Sequence, residues 1–351
     1  MKNLRELDLS QLQTLIASFD EPKYRAAQVN EWIWKKHVAS IDGMSSLSKM
    51  LREKLKETYF IPKVGIHHTQ HSSDGTIKNR MILHDGHFIE SVLIPTDKRM
   101  TVCVSSQVGC SLSCKFCATG YLPRKRNLNF DEIVDQVTEV NEQALKYYGK
   151  PLTNIVFMGM GEPLLNYKNM IKAVERITSP DGLGMSPRRI TVSTAGVAKM
   201  IQQLGEDEVR FKLALSLHAA NDFKRNEIMP INETNNIEAL VEALNFFYKQ
   251  TKNEITFEYI LFKNFNDSQK DAEELVKLYR RVPVDLVNII EYNPIEEADF
   301  SKPEEQVTHQ FMQYLESKKV NARLRRSRGK DIDAACGQLA NVDHPEVAQK
   351  G

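Results

Sequence analysis

From about Thr101 onward the sequence alternates between short β-prone runs and helical periodicity, and this pattern constrains the fold more than any other feature. The β-prone runs are residues 101–106 (TVCVSS), 154–159 (NIVFMG), 189–194 (RITVST), 212–217 (KLALSL), 256–261 (TFEYIL) and 286–293 (LVNIIEYN). Helical patterns fall between and after them, at 131–148, 167–178, 197–204, 237–248, 269–281 and 304–318. Six strand–helix units predict a parallel sheet with crossover helices. Six are too few to close an eight-stranded barrel, so the expected class is α/β, a partial (βα)6 barrel over 101–340. Ahead of it, apolar residues at helical spacing (Leu9, Leu12, Leu15, Ile16; Val29, Trp32, Ile33) predict a helical accessory domain over 1–62. Residues 63–100 read as a short β extension, with turns at Asp74-Gly75 and Asp85-Gly86. Residues 341–351 read as a flexible tail.

Active sites in such folds sit in loops at the carboxyl ends of the strands. The loop after the first barrel strand carries Cys110, Cys114 and Cys117, spaced C-x3-C-x2-C. Soft thiolates select iron–sulfur clusters or zinc. An ordinary cluster or structural zinc takes four ligands, so three on one loop leave one iron open to a substrate. The competing reading is a zinc-stabilised, non-enzymatic RNA-binding module with Cys103 or Cys336 as fourth ligand. Cys103, alternating with Val102 and Val104, equally reads as a small buried hydrophobe, and Cys336 as packing.

Five cysteines is an odd number and they do not form a disulfide framework. The polar start and the lack of an apolar run near the ~20 residues of a membrane helix predict a cytoplasmic protein with no membrane partner. Charge is balanced, 47 Lys+Arg against 46 Asp+Glu, so any polyanion must be met by local patches. Three are visible: 124–126 (RKR), Arg188-Arg189, and 323–330 (RLRRSRGK), each of which also reads as a solvated face.

The cysteine spacing, with Phe116 before the last cysteine, looks like that of the radical S-adenosylmethionine (SAM) enzymes. Further runs are SSQVGC at 105–110, MGMGEPLLN at 158–166, SLHA at 216–219, MPIN at 229–232 and DIDAACGQL at 331–339. Together they resemble the RlmN/Cfr family of bacterial RNA adenine methyltransferases, over nearly the whole chain. The resemblance implies a [4Fe-4S] cluster on Cys110, Cys114 and Cys117, and two SAM molecules per turnover. One SAM methylates a cysteine by displacement; the other is cleaved at the cluster to a 5′-deoxyadenosyl radical. Such chemistry suits adenine carbon 2, an electron-poor centre with no lone pair for polar methyl transfer.

Cys336 matches the methylated cysteine that forms a covalent adduct with RNA. Cys103 matches the thiol that releases the adduct by attacking the Cys336 sulfur, leaving a disulfide. Glu90 matches the proton acceptor, although a Glu on a half-exposed strand otherwise reads as solvated. Gly161, Glu162, Ser193, Ser216, Leu217, His218 and Asn293 match the SAM contacts; His218 otherwise reads as a core-capping imidazole. The implied partners are 23S rRNA, tRNA and a low-potential electron donor such as flavodoxin. Trp32, Trp34, Lys35 and Lys36 are expected to help the helical domain bind RNA, or, for the tryptophans, to be core. The sister activity, carbon 8 of the same rRNA adenine, confers antibiotic resistance. Val108 and the 163–166 run favour the carbon-2 branch.

Overall fold

The structure, a computed structural model, describes residues 1–341; the tail expected over 341–351 therefore lies outside the described residues beyond Asn341. Three helices open the chain: α1 (Leu9–Ser18), α2 (Tyr24–Trp34) and α3 (Lys49–Thr58). Asp8 and Gln11 bond each other's backbone in a reciprocal cap on α1, and Ser48 caps α3. Their apolar stripes meet each other through Leu12, Ile16, Val29, Ile33, Leu51 and Leu55, all buried.

Arg5 fastens this unit to the barrel. Its buried guanidinium donates to both oxygens of Asp135 at 2.8 and 2.7 Å and to the Pro62 carbonyl at 3.1 Å. A buried charge survives only when bonded this fully. Trp34 lies under it, with Arg5 at 4.7 Å and Arg176 at 4.3 Å from the ring. Trp34 is thus core and faces no RNA. Trp32 is half-buried, with Nε1 donating to Ser46 Oγ at 2.7 Å.

Strands β1 (Gly65–His71), β2 (Ile77–Ile82) and β3 (Phe88–Pro95) form an antiparallel flank. Gly75 and Gly86, with φ of 86° and 83°, sit in its two expected turns, where a side chain would be strained. Next come β4 (Met100–Cys103), α4 (Phe130–Tyr148), β5 (Asn154–Phe157), α5 (Tyr167–Thr178), β6 (Ile190–Thr194), α6 (Ala198–Glu206) and β7 (Lys212–Ser216). Then follow α7 (Asp222–Ile228), α8 (Ile237–Thr251), β8 (Ile255–Leu261), α9 (Gln269–Tyr279), β9 (Leu286–Glu291), α10 (Glu305–Ser317) and β10 (Ala322–Arg325). All ten strands form one sheet in the order β10-β9-β8-β7-β6-β5-β4-β3-β2-β1. From β4 to β10 it is parallel, the partial barrel that the alternation predicts. Val92 on β3 pairs with Cys103 on β4, which makes the flank continuous with the barrel.

Two elements were not anticipated. Strand β10 is a seventh parallel strand inside the 323–330 basic run; its arginines mask a pattern in which only Ala322 and Leu324 are apolar. Helix α7 spans only seven residues and presents too few apolar positions for a helical period.

Candidate active site

The cysteine loop leaves β4 and lies across the carboxyl ends of the barrel strands. Its path depends on Gly109, at φ 74°, where a Cβ would stand 2.3 Å from the Pro123 carbonyl oxygen. Short backbone bonds tighten the loop: Cys117 N–H to Cys114 O at 3.2 Å, Gly120 N–H to Cys117 O at 2.8 Å, and Lys115 N–H to Ile228 O at 3.0 Å on α7. Phe116 is buried edge-on against His218, with centroids 4.7 Å apart.

Cys110, Cys114 and Cys117 line one cavity together with Gly161, Glu162, Ser193, Ser216, His218 and Cys336. Burial pushes the thiols up, Cys110 to about 11, Cys114 well beyond its ordinary value and Cys117 in the same direction; neighbouring sulfurs add to the rise. Backbone N–H groups of Leu112 and Ser111 face the Cys110 sulfur, and those of Gly120 and Thr119 face Cys117. Among the described residues no three His, Cys, Asp or Glu side chains converge where a single ion would be held. Three soft donors from one loop lining one cavity fit a polynuclear cluster, whose irons would bring the positive charge that converts such thiols to thiolates.

The opposite wall is polar and rigid. Gly161, at φ 92°, brings the chain against Gln107, whose Cβ a side chain would strike at 2.4 Å. Glu162 is buried; its oxygens accept N–H bonds from Leu164 at 3.0 Å and Ala195 at 2.7 Å, and burial still raises the carboxyl to about 7. Ser193 and Ser216 face each other at 3.4 Å between their hydroxyl oxygens. His218 takes a left-handed backbone, φ 55°, and its Nδ1 accepts the Ile260 N–H at 3.1 Å. Burial, with Arg225 nearby, lowers His218 to about 3, so it is a neutral imidazole with Nδ1 committed. Leu217 does not line the cavity; it is buried, and its carbonyl accepts from Arg225 Nε at 3.2 Å.

Cys336 lies on a strap, residues 329–341, that crosses this cavity. The Gly337 carbonyl accepts the Ala118 N–H at 2.7 Å, and the Leu339 carbonyl accepts the Thr119 hydroxyl at 2.6 Å, so the strap is seated on the cysteine loop. Asn293 donates to the Cys336 carbonyl at 3.3 Å and does not line the cavity. Cys103 is buried on β4; burial pushes its thiol up to about 12, with Cys336 adding to the rise. Arg325 on β10 faces both sulfurs and pairs with Glu258 at 3.5 Å; Cys336 is the main reason it is held above its ordinary value. All five cysteines are free thiols.

Glu90 is buried, not solvated, and lies next to the strap in a neighbouring cavity lined also by Lys78 and Gln338. Its Oε2 accepts the N–H groups of Ala340 at 2.9 Å and Asn341 at 3.2 Å. Lys78, Arg225 and Arg325 are the site residues the sequence did not reveal as such. Only the pairing of β2 with β3, which sets Arg80 opposite Glu90, marks Lys78 as a neighbour.

The basic strip is largely neutralised. Besides Arg325, Arg328 pairs with Asp74 at 3.2 Å, Lys330 with Glu291 at 2.7 Å, and Arg323 donates to Asn288 at 3.1 Å. Arg126 is likewise held by Glu132 at 2.7 Å and Asp85 at 2.6 Å. Arg188 and Arg189 are exposed. No helix among the described residues is long and apolar enough to cross a membrane.

Comparison with known proteins agrees with this fold. The family described as "Ribosomal RNA large subunit methyltransferase N-terminal domain" matches residues 2–61, and "Radical SAM superfamily" matches residues 104–279. A protein of Christiangramia forsetii named "Probable dual-specificity RNA methyltransferase RlmN" is 52% identical over 340 residues, 97% of this chain and 96% of its own. The "Dual-specificity RNA methyltransferase RlmN" of Solidesulfovibrio magneticus is 44% identical over 97% of this chain and 96% of its own. The crystal structure of a radical SAM methyltransferase from Sphaerobacter thermophilus superposes with a TM-score of 0.90 at 39% identity, covering 97% of this chain and all of that one.

Proposed function

The chain belongs to the RlmN family of radical SAM RNA methyltransferases, and from that premise we propose that it methylates carbon 2 of an adenine in 23S rRNA and of the adenine beside the anticodon in tRNA. One observation carries the covalent methyl-transfer part of this reading: Cys336 lines the three-cysteine cavity, and Cys103, buried on β4, faces its sulfur. Val108 and the 163–166 run favour carbon 2 over carbon 8. In this reading Cys336 carries the methyl group within the cavity and Cys103 is the second sulfur that releases it. The cluster on Cys110, Cys114 and Cys117, when bound, supplies one electron that cleaves SAM to a carbon radical, two SAM being used per turnover.

Gly161, Glu162, Ser193, Ser216 and His218 hold SAM along the polar wall, Glu162 receiving its ammonium group. Leu217 contributes by fixing the backbone, and Asn293 by steadying the Cys336 peptide. After the Cys336 methylene radical has joined the adenine ring, the adduct gives up its unpaired electron, which the cluster, when bound, would accept back, and Glu90 takes the ring proton at Oε1 or Oε2. The Cys103 thiolate then bonds to the Cys336 sulfur while the carbon–sulfur bond breaks, leaving a Cys103–Cys336 disulfide. The electron pair of the broken bond passes to the methylene carbon, which takes up a proton to become the methyl group. Burial holds the Cys103 proton tightly, so it must be removed before attack; Arg325, facing both sulfurs, stabilises the resulting thiolate.

Residues 1–62 form the accessory RNA-binding part, and the exposed Arg188 and Arg189 offer phosphate contacts. The target base must leave its stack to enter the cavity. A low-potential donor of the flavodoxin type reduces the cluster in the cytoplasm. Mass spectrometry of adenosines in rRNA from a host expressing the chain tests the reading. We expect 2-methyladenosine; 8-methyladenosine alone would replace it with the sister activity.

A further inference from the structure

Arg225 is a buried charge with no ionic partner among the described residues. It is 0% exposed, on α7, and each acceptor it meets is neutral. Nε donates to the Leu217 carbonyl at 3.2 Å and Nη1 to Asn232 Oδ1 at 2.5 Å. Nη2 donates to the carbonyls of Ala195 at 2.6 Å and Ser216 at 3.3 Å. The nearest acid it feels, Asp222, is exposed and reaches it only through the Asn232 amide, which donates to Asp222 Oδ1 at 2.8 Å. Burial lowers Arg225 to about 10, which leaves it a cation at neutral pH.

An isolated charge in a protein interior is costly unless a counter-charge is near. The other group able to become an anion facing Arg225 is Cys114; the neutral His218 also lies within its field. The loop bearing Cys114 is fixed to α7 by the Lys115 N–H on the Ile228 carbonyl at 3.0 Å. The anion that completes this arrangement is the one formed when the three thiols become cluster ligands.

We propose that Arg225 is a positioning residue for the iron–sulfur cluster, a fixed counter-charge behind Cys114 that raises the cluster's reduction potential and eases its reduction. The inference rests on the radical SAM reading of the cysteine loop. A fixed cation stabilises the reduced cluster, which carries one more negative charge, more than the oxidised one. The same guanidinium joins the ends of β6 and β7, so charge and hydrogen bonding must be separated experimentally.

The test is a redox titration, monitored by electron paramagnetic resonance, of the full chain after anaerobic reconstitution. R225Q removes the charge, R225K keeps it with fewer bonds, and N232D sets a carboxylate on Arg225 at the cost of the Asn232 amide bonds to Asp222 and Asn226. R225Q and N232D should each lower the equilibrium constant for cluster reduction at least about tenfold, a midpoint about 59 mV more negative for one electron. R225K should stay near the wild-type midpoint with equal iron content. Wild-type midpoints in R225Q and N232D overturn the proposal, as does an R225K midpoint as negative as that of R225Q. If R225Q does not take up iron, the N232D midpoint alone decides. A wild-type chain that binds zinc and no iron refutes the cluster reading itself, a distinct outcome.

Discussion

Lys78 Nζ lies 3.7 Å from Glu90 Oε1, with the two side chains only 4% and 3% exposed. The pair holds the strap on both sides of Cys336: Lys78 donates to the Asp333 carbonyl at 3.4 Å, and Glu90 accepts the N–H groups of Ala340 and Asn341. Removing Lys78 takes the cation away from beside the buried Glu90 carboxylate. K78M should therefore destabilise the chain by about 3–5 kcal/mol, read from the midpoint of urea unfolding. K78M combined with E90Q should recover most of that loss; a double variant as unstable as K78M would show that the pairing is unimportant.

The two cysteines outside the cluster loop separate the halves of the reaction. C336A should keep its cluster and still cleave SAM, yet transfer no methyl group to RNA. C103A should instead accumulate the covalent adduct, seen as a protein band that retains labelled RNA after denaturation. Methylated RNA from C336A contradicts the covalent route.

Glu162 gives the site a pH dependence. Its folded-state carboxyl titrates at about 7, above the ordinary 4.5, because burial disfavours the charged form. Below that pH it is neutral and receives an ammonium group poorly, so SAM affinity should rise as pH climbs through about 7. Calorimetry on the reconstituted protein reads this, and E162Q should flatten it. The stability linkage has the opposite sign. A folded pKa raised above the unfolded one favours the fold at low pH, and this contribution is lost as pH rises from about 4.5 through 7.

Phosphate contacts show in the salt dependence of RNA binding. Because most of the 323–330 strip is paired internally, the exposed Arg188 and Arg189 are the better candidates for backbone contact. R188A/R189A should flatten the plot of log affinity against log salt by up to ~2, at about 0.9 per lost contact. An unchanged slope removes them from the interface.

The barrel was legible because its strands are buried on both faces and interrupted by amphipathic helices, a pattern that composition cannot disguise. The cysteine loop was legible from spacing, and the chain's own order places it at the carboxyl end of β4. What escaped were charges whose role is fixed by distant partners. Arg325 reads as one of several surface arginines until β10 is seen to pair with β9, turning it toward Glu258 and the sulfurs. Arg225 carries no motif of its own, and Trp34 reads equally as an RNA contact or as core, until tertiary packing buries both. No local period encodes such burial.

The register that sets Val92 opposite Cys103 has a mechanical corollary. Glu90 and Cys103 ride on adjoining strands of an unbroken sheet, so the gap between the proposed proton acceptor and the proposed resolving thiol is set by the strand ladder. The strap is anchored largely through backbone groups and a few polar side chains. Of the three proposed participants, Cys336 alone lies outside that sheet, so its distance from the other two is set by the strap's hydrogen bonds and not by the ladder.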